Sequence, residues 1–116
     1  MEKTDKKVFG PLELPTGAKI SFRAPSGRDR VNVIQMMKMS FENIGGGTLL
    51  IDNYVAAKCV KEYADKENTS GDYKGLYDSM PQEDADFYVA VFQEMFGMTE
   101  DKRSKAKEMA SFLLKK

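Results

Sequence analysis

The stretch Leu12–Arg30, LELPTGAKISFRAPSGRDR, constrains the fold of this chain more than any other. Val8 to Leu14 and Ala18 to Ala24 alternate apolar and polar residues, as half-buried strands do. Leu12 and Leu14 share one face, and Ile20 and Phe22 share another. Pro15-Thr16-Gly17 supplies the turn between them, because proline fixes φ and glycine accepts a positive φ. Pro25 then drives Ala24 out of helical geometry. Ser26 stands three residues before Asp29, a capping box with Asp in place of Glu. The stretch is therefore a β-hairpin that leads straight into a helix.

Everything after Arg30 reads as helical. The first helix is expected from Gly27 to about Phe41, with Val33, Ile34, Met36, Met37 and Phe41 on one stripe and Val31 and Met39 off it. Gly45, Gly46 and Gly47 break the helix, since three consecutive glycines carry a large backbone-entropy cost, and they are expected to form a hinge. Thr48 caps a second helix, expected from about Leu49 to Lys66. Its second half opposes Ala56, Cys59, Val60, Tyr63 and Ala64 to Lys58, Lys61, Glu62 and Asp65. Its first half is apolar nearly all round, with Leu50, Ile51, Tyr54 and Val55 opposite Leu49 and Ala56. Glu67 to Gly75 reads as a loop.

Ser79 and Gln82 have capping-box spacing, and Pro81 suits a first helical turn. The third helix is expected to run to Phe96 and stop at Gly97. Its stripe of Phe87, Tyr88, Val91, Phe92, Met95 and Phe96 is the strongest core signal in the chain. Thr99 caps a last helix with Ala106, Met109, Ala110, Leu113 and Leu114 on one face. The expected architecture is α+β: a flexible arm over residues 1–7, then one domain over 8–116. Within it a hairpin spans 8–24, and a helical body of about four helices spans 26–116.

Chemistry is limited by what the chain lacks. There is no histidine, so zinc motifs of the His type, Ser-His-Asp triads and Cys-His dyads are excluded together. The single cysteine, Cys59, cannot form an internal disulfide, and its place on an apolar stripe suits a buried thiol rather than a nucleophile. The triple glycine follows a helix and lacks the lysine of a phosphate-binding loop. Asp84 and Asp86 lie two apart on a helix, so they do not share a face to hold a metal; they complement a helix N-terminus instead. Arg23, Arg28 and Arg30 read as solvated surface charges by default. No catalytic residue, cofactor or metal is expected, and the chain is read as a non-enzyme.

Net charge is zero but segregated: +4 over residues 1–40, −9 over 41–101 and +5 over 102–116. That balance argues against a dedicated nucleic-acid binder. No signal peptide and no membrane span are expected. Met39 lies off its own helical stripe, and Leu50, Ile51, Tyr54 and Val55 lie on the second apolar side of the next helix. Together they mark an expected partner surface around the hinge at Gly45, Gly46 and Gly47, of the kind that flexible methionines suit. The competing expectation is that the N-terminal hairpin covers that side.

The whole pattern resembles the tail assembly chaperones of tailed bacteriophages. Leu12, Leu14, Pro15, Gly17, Ile20, Phe22 and Arg23 match the family's hairpin, and Pro25, Gly27, Arg28 and Asp29 match its helix start. Pro81, Asp84, Phe87, Val91, Phe92 and Phe96 are similar to its late helix. The triple glycine and the Met-rich helix have no counterpart in the family pattern. The resemblance implies a phage or prophage protein of the bacterial cytoplasm, absent from the finished particle. It implies binding to the long helical tape measure protein, preventing its aggregation, and presenting it to tail tube subunits. Self-association is left open. A structural head–tail connector, holding permanent ring contacts, is the alternative.

Overall fold

The computed structural model describes residues 7–37, 47–68 and 71–115, without the side chains of residues 47–49. It is α+β, with the N-terminal hairpin in place. Strands β1 (Val8–Glu13) and β2 (Lys19–Arg23) pair antiparallel, with Phe9 opposite Phe22 and Leu12 opposite Ile20. Gly17 closes the turn at φ 100°, donating its N–H to the Leu14 carbonyl at 2.8 Å. The register shifts between Phe9 and Leu12, at Gly10. Gly10 has φ 119°, and a Cβ there would lie 2.8 Å from the Ile20 carbonyl oxygen, so only glycine fits this bulge.

The hairpin does not stand alone. Strands β3 (Val60–Tyr63) and β4 (Lys66–Glu67) extend it to a four-stranded antiparallel sheet in the order β1-β2-β3-β4. This corrects two expectations: that everything after Arg30 is helical, and that a helix runs on to Lys66. Helix α2 (Gly47–Lys58) stops at Lys58, and the chain reverses through Ala64 and Asp65, at φ 53° and 68°. Two consecutive positive φ values are the geometry of a two-residue hairpin turn that matches strand twist. Ile20 faces Tyr63, and the Arg23 N–H donates to the Cys59 carbonyl at 2.9 Å. Strand β2 is thus central, and Ile20, Ser21 and Phe22 are all buried.

Helix α1 (Gly27–Met37) starts at the expected place and buries Val33 and Met37, with Val31 40 % exposed on its other side. A further helix, α3 (Tyr73–Ser79), begins inside the segment 67–75 expected to be a loop, capped by the Asp72 side chain, which accepts from the Gly75 N–H at 3.0 Å. The Ser79–Gln82 capping box does not form. Ser79 donates to the Leu76 carbonyl instead, and α4 (Gln82–Phe96) begins after Pro81 with no side-chain cap. Helix α5 (Glu100–Leu114) is capped by Thr99, as its sequence predicts.

Phe22 is the centre of the core. Its ring meets Tyr88 edge-on at 5.2 Å and lies 6.0 Å from those of Phe92 and Phe9. The buried Tyr88 hydroxyl donates to the Ala56 carbonyl at 2.6 Å, which ties α4 to α2. Only part of the expected α4 stripe is interior: Tyr88 and Phe92 are buried, whereas Phe87 and Met95 are exposed. The buried arc of α4 is centred on Ala85 and Phe92, one flank away from the centre of the sequence stripe.

Candidate partner-binding surface

Asp29 organises the junction from which the exposed surfaces are held. Arg23, at the end of β2, grips its carboxylate with both terminal nitrogens, at 2.8 and 3.0 Å. Lys58, at the end of α2, adds a contact at 2.9 Å, and the Ser26 N–H donates at 2.8 Å. One acid therefore joins a strand end, a helix start and a helix end. Burial alone would raise its pKa. The hydrogen bonds from Arg23 and Lys58 outweigh that and hold it well below the usual carboxylate range. Arg23 is thus a structural cation rather than a solvated one. Arg30 pairs with Asp52 on α2.

Cys59 lies against this cluster with its thiol 3.8 Å from Asp29, fully buried. Burial pushes the thiol up to about 12, so it is protonated and inert at neutral pH. Asp84 is also wholly buried. It accepts from the Thr16 N–H at 3.0 Å and from the Thr16 hydroxyl, and so pins the β1–β2 turn to the start of α4.

Of the surface expected around the hinge, the structure describes the residues on α2. Met39, Gly45 and Gly46 lie outside the described residues, and Gly47 is the first residue of α2. Leu50 and Ile51 are half-buried against the core. Tyr54 and Val55 are 5 % and 6 % exposed and belong to the core. The cover over Tyr54 is α3, not the N-terminal hairpin: its ring meets Tyr77 at 5.6 Å and Tyr73 at 6.5 Å. The two-sided apolar start of α2 therefore reflects a helix packed on both sides.

The exposed apolar surface lies elsewhere. Every residue of α5 is exposed, including Met109 at 50 %, Leu113 at 62 % and Leu114 at 86 %. Its face is the predicted one of Ala106, Met109, Ala110, Leu113 and Leu114, but it is turned to solvent instead of to a core. Lys102, in its first turn, donates to the Gly97 carbonyl at 2.9 Å, which anchors the base of α5 to the end of α4. A cleft of about 530 Å³ opens at that base, floored by Val55, Phe92, Phe96 and Met98 and rimmed by Arg30, Asp52, Gln93 and Arg103. The sequence carried the periodicity of this face. It carried no signal that Met109, Leu113 and Leu114 are exposed.

Among the described residues no group of His, Cys, Asp and Glu side chains could hold a metal ion, and no helix is long and apolar enough to cross a membrane. No family model, curated protein or solved structure matches the chain.

Proposed function

We propose that this protein is a non-enzymatic assembly chaperone that covers apolar helical segments of a client. The observation that carries this reading is α5, a fifteen-residue amphipathic helix with no buried residue, joined to a packed body. A helix that gives nothing to its own core, yet keeps Met109 and Leu113 on one face, suits a helix-in-groove encounter with a second helix. Its methionine, Met109, and its long, flexible lysines tolerate clients of varied sequence. The resemblance of the hairpin to phage tail assembly chaperones names the client: a phage or prophage tape measure protein, handed on to tail tube subunits. The same reading puts the protein in the host cytoplasm and outside the mature particle.

Co-expression with the tape measure protein of the same phage tests this. The client is expected to stay in the soluble fraction with the wild-type chain and to aggregate with a Met109→Glu/Leu113→Glu variant. Recovery of the chain as a stoichiometric part of purified particles would instead favour the head–tail connector.

A further inference from the structure

We propose that the pocket where the ends of β2 and α2 meet β3 and α3 binds a phosphoryl group, as free phosphate or as the ester of a small metabolite. The pocket has a volume of about 250 Å³ and is walled by Arg23, Lys58, Lys61, Asn68, Gly71 and Tyr73. Three of its lining residues are cations and none is an acid. One anion, Asp29, pairs with two of those cations, Arg23 and Lys58. Lys61 has no ion-pair partner among the described residues. Three positive charges against one negative charge leave an excess of two.

The excess sits in a place built before any ligand arrives. Arg23 and Lys58 are partly buried, and Asp29 holds both side chains at 2.8–3.0 Å. A second bond, from Arg23 Nη1 to the Ala24 carbonyl at 3.0 Å, fixes the guanidinium further. An ammonium has three donors, and Lys58 spends one on Asp29, which leaves two for a ligand. Asn68 sets the opposite rim. Its N–H donates to the Lys61 carbonyl at 2.8 Å, and its side-chain amide donates to the Val60 carbonyl at 2.9 Å. Cations fixed in a partly desolvated recess favour an anion there, because little ordering remains to oppose its binding.

Charge and size select the class of anion. A phosphate monoester carries about −1.5 to −2 at pH 7, which matches an excess of two better than a single carboxylate does. The planar fork of Arg23 is already spent on Asp29, so the lysines supply the contacts, as point charges. The pocket equals the share of about eight waters at about 30 Å³ each, so a small organic part fits beside the phosphoryl group. No residue of α5 lines it, so the site is separate from the proposed client surface. A ligand held by Lys58 bears through Asp29 on the start of α1 and the end of β2, and so stabilises that junction by mass action.

Amide shifts of the full chain during titration with inorganic phosphate test the site, with ionic strength held constant by sodium chloride to remove general screening. Saturable shifts are expected at Lys58, Lys61, Asn68, Gly71 and Tyr73, with a thermal midpoint that rises as the site fills. Lys61→Ala, at an exposed position, is expected to keep its circular dichroism and to bind about tenfold more weakly, as loss of one charge-assisted contact implies. Acetate is expected to give no saturable shift. Glycerol 3-phosphate binding more tightly than phosphate supports the site with an ester as its ligand, and equal or weaker binding supports it with the free ion. Shifts that never saturate or spread over the lysines of α5 overturn the inference. So does phosphate binding that Lys61→Ala leaves unchanged, or acetate bound as tightly as phosphate.

Discussion

Asp29 is the residue on which the junction of sheet and helices depends, and it carries a charge in a nearly closed site. Replacing it with Asn leaves Arg23 and Lys58 without their anion in a partly buried place. The expected cost is about 3–5 kcal/mol, the range for removing one partner of a buried ion pair. Its folded pKa lies below the unfolded value of about 3.9. The stabilisation it provides is therefore complete above about pH 4 and is lost as pH falls towards the folded pKa. Urea midpoints at pH 7 and pH 3 should differ more for the wild type than for Asp29→Asn. Beside it, the thiol of Cys59 should resist alkylation at pH 8 in the folded protein and react at once in denaturant. At this scale the sequence was half legible. Ser26 and Asp29 announced the start of α1 by their spacing. Nothing local distinguished Arg23, which holds Asp29, from Arg28, which is exposed, because the bond is made across a turn that only the fold defines.

Among the elements, α4 supports the core and the β3–β4 hairpin shows where sequence patterning fails. Phe92 is 2 % exposed and meets the rings of Phe22, Tyr88 and Phe96. Phe92→Ala should cost about 3–5 kcal/mol, read from the denaturant midpoint. The hairpin was missed for a physical reason. Cys59, Val60 and Tyr63 are spaced to fit a helical stripe as well as a short strand, and four residues are too few for period two to win. The turn at Ala64-Asp65 lacks the Asn-Gly or Asp-Gly signature that its positive φ values favour. Pairing with β2, some forty residues earlier, decides the outcome, and local pattern cannot report it. It follows that Ala64→Asn with Asp65→Gly, which supplies the favoured residues, should stabilise the fold by about 1 kcal/mol. A raised thermal midpoint in the double variant checks this. The first hairpin, by contrast, was legible because Pro15 and Gly17 mark its turn and the strands on either side alternate cleanly.

At the scale of the whole molecule, the uneven charge of the chain becomes spatial. The acidic middle segment contributes the outer face of α4, and the basic last segment forms most of α5. The apolar face of α5 was visible as a helical stripe, yet its role was not, since periodicity reports which side of a helix is apolar and not what lies against that side. The sequence instead drew attention to Tyr54 and Val55, whose second apolar face is taken up by packing within the body. Exposed apolar side chains on a helix that contributes nothing to the core are the better marker of a binding surface. The most direct test is a comparison of wild type with Met109→Glu/Leu113→Glu on two readouts, thermal unfolding and retention of the tape measure protein in solution. The account predicts midpoints within about 2 °C of each other, a shift worth well under 1 kcal/mol for a domain of this size, together with loss of client retention. A midpoint lowered by about 10 °C, or a client held as well by the variant as by the wild type, would contradict it.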